Sequence, residues 1–210
     1  MLKLYGGILT RAFIIAWYLE ELAVQYEFVQ LDMQTGAHLK PDFLAINPMG
    51  KLPAIVDGNF KLWESGAILL YLAEKYRQLP ESLEERSEIN QWLFFANATL
   101  IPGIYQVSNF EREHLRLLEP LNQIFQQQPF LLGERFSIAD VAVGSVLAYI
   151  PILLKLDLSF YPEEVVKSIK HLSMLNFENY PGVLSYINRL GERPAFQKII
   201  ATSLPITVQS

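Results

Sequence analysis

A chain of 210 residues with a net charge of -5, 51% apolar and 19% charged, has the make-up of an ordinary globular protein with room for one large core or two smaller ones. The acidic balance argues against nucleic acid, which calls for a basic face, and against attraction to anionic membranes. The absence of cysteine excludes structural disulfides and cysteine nucleophiles, so any thiol chemistry has to be done by a bound thiol.

No apolar run approaches the roughly 20 residues needed to span a bilayer; the run from Phe13 to Leu19 stops at Glu20-Glu21. No leader pattern precedes it, and a cytoplasmic location is expected. His38, His114 and His171 lie far apart without ligand-like spacing, so no metal site is expected.

Leu2 to Tyr5 reads as a short strand closed by Gly6-Gly7, and from Thr10 the pattern turns helical through Phe13, Ala16, Trp17 and Leu19. Tyr26 to Leu31 alternates as a strand, Gln34-Thr35-Gly36 breaks it, and Pro41 to Ile46 makes a brief helix. Ala54–Val56 and Lys61–Trp63 are strands joined by Asp57-Gly58, a hairpin signal, and a helix runs from Ser65 to about Tyr76. The predicted order is β-α-β-α-β-β-α, a small mixed sheet covered by helices.

Within that half lies the stretch Asn47-Pro48-Met49-Gly50-Lys51-Leu52-Pro53, with Glu64-Ser65 further on. Pro53 sits at the first position of a strand and is a candidate for a cis bond that turns the Leu52 backbone outward, leaving its N–H and C=O for an extended ligand. Ser65 reads as an N-cap, and the unpaired N–H groups of the following turn suit a carboxylate. A strand edge beside a helix start fits a small anionic peptide. The same residues also fit a plain turn followed by an ordinary helix cap.

Beyond Gln78-Leu79-Pro80 the chain reads as helical throughout, and the predicted domains are residues 1–77, a linker 78–84, and an all-helical domain 85–210. Glu84 to Leu118 forms a long amphipathic run bent at Pro102-Gly103, and Leu121 to Gln127 a separate helix. A buried helix follows from Ile138; Ser137-Ile138-Ala139-Asp140 has the form of a capping box, and Phe136 is placed to staple onto Val141. Tyr180 to Leu190 and Ala195 to Ile200 are the last helices, and the segment between Leu156 and Tyr180 adds an extra helix of no assigned role.

Leu4-Tyr5, the helix containing Trp17 to Leu22, Asn47-Pro48 through Pro53, Glu64-Ser65, Phe136 to Asp140 and Arg193-Pro194-Ala195-Phe196 together resemble the cytosolic glutathione S-transferases. Among their classes the chain looks most like the bacterial and cyanobacterial ones, chi-like in type. The resemblance implies a thioredoxin-like domain that binds glutathione, a helical domain that supplies the electrophile pocket, and a homodimer. It implies glutathione as co-substrate with no other cofactor, and conjugation of small hydrophobic electrophiles in detoxification. Glutathione-dependent peroxidase or dehalogenase work and a non-catalytic scaffold role are the alternatives.

Carried over by position, Lys51, Leu52 and Pro53 match the residues that hold the glutathione backbone, and Glu64 and Ser65 those that hold its γ-glutamyl end. His38 and Lys40 fall where some classes reach the glycyl carboxylate. The catalytic position departs from the pattern. Tyr5 matches the place of a catalytic tyrosine but also suits core packing; Thr10 stands where other branches carry serine or cysteine and also suits an N-cap; Arg11 follows as a thiolate stabiliser. Ile8 and Leu9, with Leu100, Ile101, Tyr105 and Phe110, are expected to line the electrophile pocket. A free thiol near pKa 8.5 needs roughly 2.7 kcal/mol to drop two units. One charged hydrogen bond, on the order of 1.5–3 kcal/mol, is close to sufficient.

Overall fold

The computed structural model describes residues 1–7, 9–159 and 161–203, and they form two compact units. The first holds Met1–Leu79 together with the last helix, and the second holds Pro80–Arg193. Ile8 and the tail from 204 onward lie outside the described residues. Among the described residues no helix is long and apolar enough to cross a membrane.

In the first unit the elements run β1 (Leu2–Gly6), α1 (Ala12–Glu21), β2 (Tyr26–Gln30), α2 (Pro41–Leu44), β3 (Ala54–Asp57), β4 (Phe60–Trp63) and α3 (Ser65–Lys75), the predicted order. The sheet order is β2-β1-β3-β4. β1 runs parallel to β2, with Leu4 opposite Phe28, because a helix crosses over between them; β3 runs antiparallel to both β1 and β4. β1 alternates in burial: Leu2, Leu4 and Gly6 are buried, while Lys3 and Tyr5 on the other face are half-buried. Gly6 is required by close approach, since a Cβ there would stand 2.4 Å from the Ala12 Cβ and 2.8 Å from the Phe28 ring.

The final helix, α11 (Pro194–Ser203, numbered after α4–α10 below), belongs to this first unit, whereas the sequence assigns it to the helical domain. The reason is side-chain packing. Phe196 stands edge-on to Trp17 with ring centroids 4.8 Å apart and to Phe13 at 5.7 Å, and Lys198 pairs with Glu20 at 2.6 Å.

The second unit contains α4 (Leu83–Phe95), a π-helical segment Ala96–Leu100, α5 (Ile101–Tyr105), α6 (Val107–Gln127), α7 (Ile138–Ala148), α8 (Ile150–Leu153), α9 (Glu163–Lys170) and α10 (Pro181–Gly191). The long run breaks at Gln106, with ψ 114, rather than bending at Pro102-Gly103, where Pro102 opens α5. No break separates Leu118 from Leu121, because α6 continues through Pro120. Proline inside a helix costs about 3 kcal/mol, and the continuous buried face of Leu117, Leu118, Leu121 and Phe125 offsets it.

The capping box at the start of α7 is present as read from sequence. Ser137 Oγ accepts the Ala139 N–H at 3.2 Å, and Asp140 Oδ2 accepts the Ser137 N–H at 2.9 Å. Asp140 has a second task. Its Oδ1 accepts the Leu131 N–H at 2.9 Å and the Tyr186 hydroxyl at 3.1 Å, tying the preceding loop and α10 to α7. Burial pushes this carboxyl above the usual range, and the four hydrogen bonds pull it back.

Candidate glutathione site

The loop between α2 and β3 is built on one side chain. Asn47 is fully buried; its Nδ2 donates to the Lys51 carbonyl at 2.7 Å and its Oδ1 accepts the Met49 N–H at 3.0 Å. Its own carbonyl accepts the Gly50 N–H at 3.0 Å, and Gly50 has φ +59, the left-handed conformation that favours glycine. The chain then passes through exposed Lys51 into buried Leu52 and the cis Leu52–Pro53 bond. Among the described residues neither the N–H nor the C=O of Leu52 has a hydrogen-bond partner. The Leu52 side chain belongs to a cluster with Phe43, Ala54, Tyr5, Leu31, Ile46 and Trp63.

Glu64 joins β4 to α3 with φ 72 and ψ 119, a region that side-chain-bearing residues rarely occupy. The Glu64 side chain is exposed and makes no cap bond, so Glu64, not Ser65, takes the N-cap position. Ser65 is the first helical residue and is buried. The N–H groups of Gly66 and Ala67 come too early in the helix for intrahelical partners, and the helix start collects positive potential there.

The loop 36–40 lies against the Asn47 turn: a Cβ on Gly50 would stand 3.2 Å from the His38 carbonyl and 2.9 Å from Leu39 Cδ2. His38 is half-buried, and its Nδ1 is shielded from solvent without a hydrogen-bond partner among the described residues. Lys40 is exposed, and its carbonyl starts α2 by accepting the Phe43 and Leu44 N–H groups.

In the first turn, Thr10 Oγ1 donates to the Gly7 carbonyl at 2.7 Å and accepts the Gly7 N–H at 3.1 Å and the Ala12 N–H at 3.4 Å. The hydroxyl thus sits half-buried at the start of α1, with Arg11 exposed beside it. Leu9 precedes it with φ 60. Tyr5 packs with its ring 5.8 Å from Phe43, and its hydroxyl has no hydrogen-bond partner among the described residues.

The residues expected at the electrophile pocket divide between the units. Leu9 belongs to the first, and Leu100, Ile101, Tyr105 and Phe110 to the second. Leu100 is 0% exposed and Phe110 2%. Phe110 stacks on His114 at 4.5 Å and meets His171 edge-on at 4.8 Å, so a ligand reaching it would have to displace a neighbour. The Tyr105 hydroxyl donates to the Val146 carbonyl at 2.9 Å, and burial pushes its pKa up, leaving it unsuited to lose a proton. Half-buried Ile101 keeps some surface.

Two features of the site were not read from sequence as such: the templating role of Asn47 and the unusual φ of Glu64. An Asn-Pro turn four residues before Lys51 is the only signal for the first, and the second has none. Among the described residues no group of three His, Asp or Glu side chains is close enough to hold a metal ion.

Comparison with known proteins identifies the family. Residues 1–74 match the family model described as Glutathione S-transferase, N-terminal domain, and residues 106–189 match the C-terminal domain model. The Disulfide-bond oxidoreductase YfcG of Escherichia coli is 35% identical over 165 residues, covering 68% of this chain and 77% of that protein. Glutathione S-transferase F10 of Arabidopsis thaliana is 28% identical across 98% of this chain and 100% of its own length. The crystal structure of a glutathione transferase from Burkholderia graminis, with two glutathione molecules bound per subunit, superposes with a TM-score of 0.74 at 28% identity, covering 96% of this chain and 88% of that one. With a mixed four-stranded sheet of the thioredoxin-like type, a helical second unit and both domain models matched, the chain belongs to the cytosolic glutathione S-transferase family.

Proposed function

We propose that the chain binds glutathione at the corner of Lys51, Leu52, Glu64 and Ser65 and joins its thiolate to small hydrophobic electrophiles. On this reading the γ-glutamyl α-carboxylate meets the N–H groups at the start of α3, and Glu64 accepts from the α-ammonium. The free Leu52 N–H and C=O pair with the tripeptide backbone as an added strand would. The thiol proton leaves to water, and the thiolate attacks the electrophilic carbon, displacing a halide or adding across an isothiocyanate. The protein supplies orientation and a stabilised anion, and the chemistry calls for no metal or redox cofactor.

The observation that carries this reading is the first turn, where a hydroxyl stands beside an N–H group of the α1 start. Thr10 donates to Gly7 as the structure stands; turning its proton to a thiolate exchanges a neutral bond, about 1 kcal/mol net, for a charged one of about 1.5–3 kcal/mol. The exchange is favourable. Arg11 assists through its charge, and Tyr5 serves as packing.

A second reading is favoured by one specific fact: YfcG, 35% identical over 165 residues, is named a disulfide-bond oxidoreductase; with no cysteine in this chain, the exchange runs through glutathione alone. The same thiolate then attacks a sulfur of a disulfide and expels a thiolate, and a second glutathione attacks the mixed disulfide. Two glutathiones are oxidised to their disulfide, and the substrate is reduced to two thiols.

The test is turnover with a chloronitroaromatic, an isothiocyanate and hydroxyethyl disulfide, alongside retention on immobilised glutathione. Conjugation of either electrophile supports the first reading, and disulfide reduction alone supports the second. No turnover and no retention would overturn both in favour of a scaffold.

A further inference from the structure

The Lys51–Leu52 peptide unit is held from one side only. Its carbonyl oxygen receives the Asn47 side-chain amide at 2.7 Å, while its N–H has no partner among the described residues. In a planar trans peptide the C=O and the N–H point in opposite directions. Fixing the carbonyl on a fully buried side chain therefore aims the Leu52 N–H away from the interior. A hydrogen bond at the carbonyl also polarises the unit and strengthens the N–H as a donor. The amide of Asn47 can be oriented in one way only, because Met49 presents an N–H to its oxygen and Lys51 presents a C=O to its nitrogen.

We infer that Asn47 is a positioning residue for glutathione: by holding the Lys51 carbonyl it aims the Leu52 N–H at a backbone carbonyl of the bound tripeptide. This role presupposes the proposed binding of glutathione at Leu52. It goes further by assigning the direction of that donor to a side chain that never touches the ligand.

Asn47→Asp tests the role with little change of shape. One carboxyl oxygen still accepts the Met49 N–H, but the other faces the Lys51 carbonyl as a second acceptor instead of a donor. The probe is S-methylglutathione, whose thioether does not titrate, followed by calorimetry at pH 8 and pH 5 for wild type and variant. At pH 8 the variant binds about tenfold more weakly than wild type. Burial and the facing carbonyl hold the introduced carboxyl above the usual range, so at pH 5 it carries a proton and donates to Lys51 again. Its affinity then recovers to within about twofold of wild type, which a general loosening of the loop does not produce. Equal affinities at pH 8, or a deficit unchanged at pH 5, overturn the role of Asn47 alone; wild type that does not bind overturns the glutathione site itself.

Amide exchange in the wild type reads the same donor without a substitution. Saturating S-methylglutathione slows exchange at the Leu52 N–H about tenfold or more, while the Met49 N–H, already held by Asn47, changes little. Unaltered exchange at Leu52 rejects the inference even where Asn47→Asp does not fold.

Discussion

The Thr10 hydroxyl and the Gly7 peptide bond each other in both directions: the hydroxyl gives its proton to the Gly7 carbonyl at 2.7 Å and takes the Gly7 N–H at 3.1 Å. Locally the pair closes the turn between β1 and α1. On the proposed reading it also stores the donor that the thiolate uses. Thr10→Ala is expected to lower kcat/KM about tenfold and to raise the pKa of bound glutathione by about one unit, while Thr10→Ser retains most of the activity. Thiolate absorbance of the bound tripeptide, titrated against pH, measures the shift. An unshifted titration in Thr10→Ala would move the donor to Arg11 or Tyr5, which Arg11→Ala and Tyr5→Phe then separate.

Glu64 carries a backbone conformation, φ 72 and ψ 119, that costs on the order of 1–3 kcal/mol for a residue with a side chain. Glycine relieves it and costs about 0.5–1 kcal/mol in unfolded-chain entropy. Glu64→Gly should therefore gain about 1 kcal/mol in urea unfolding and lose about tenfold in glutathione affinity. A variant that is less stable than wild type contradicts the strain; one that binds glutathione equally well contradicts the role of the carboxylate.

Asp57, at the end of β3, receives Lys75 and the Tyr71 hydroxyl on the same oxygen, the latter at 2.7 Å. The hydrogen bond from Lys75 is the main reason its carboxyl is held below the usual value near 3.8. A depressed folded pKa means the unfolded chain binds the proton more readily, so this contribution is fully present above about pH 5 and is lost as pH falls through the folded value. Lys75 is partly exposed and salt screens the pair, which limits its worth to about 0.5–1 kcal/mol. Asp57→Asn should lose that amount at pH 7, and the deficit should shrink as pH falls below about 3.8 and Asp57 takes up its proton. Equal urea midpoints at pH 7 would show the pair to be neutral.

Gly182, near the start of α10, lies against the backbone of α6: a Cβ there would stand 2.3 Å from the Asn122 carbonyl oxygen and 2.9 Å from the Gln126 nitrogen. Neither atom can move without shifting a helix. Gly182→Ala is expected to cost about 3 kcal/mol or more. Gly191, at the other end of the same helix, has nothing within 4 Å of the equivalent position, and Gly191→Ala should be neutral or gain up to about 1 kcal/mol. Equal effects at the two sites in thermal unfolding would refute the close contact.

The order of elements in the first unit was legible because its cues are local. The apolar run Leu2 to Tyr5 closed by Gly6-Gly7 and the Asp57-Gly58 hairpin, like the capping box at Ser137 and Asp140 in the second unit, are each set by residues within a few positions. The turn from Asn47 to Pro53 was legible for the same reason, as that run carries its own turn chemistry. What remained hidden depends on partners distant in the chain. Phe196 reads as an ordinary helix residue until it meets Trp17, and Pro120 reads as a helix end until the buried face on either side of it is seen to continue.

By itself, then, the amino-acid sequence determined that any reactive sulfur must arrive with a ligand, since the chain has none in cysteine, and it marked the turn and helix start suited to holding a peptide. Only the tertiary structure decided that the last helix packs with the first unit, that Leu100 and Phe110 are sealed in the helical core, and that Asn47 holds the Lys51 carbonyl. The physical reason is one of range. Turn and cap preferences act over three or four residues, whereas packing and the direction of a peptide dipole are set by whichever atoms the completed fold brings within about 4 Å.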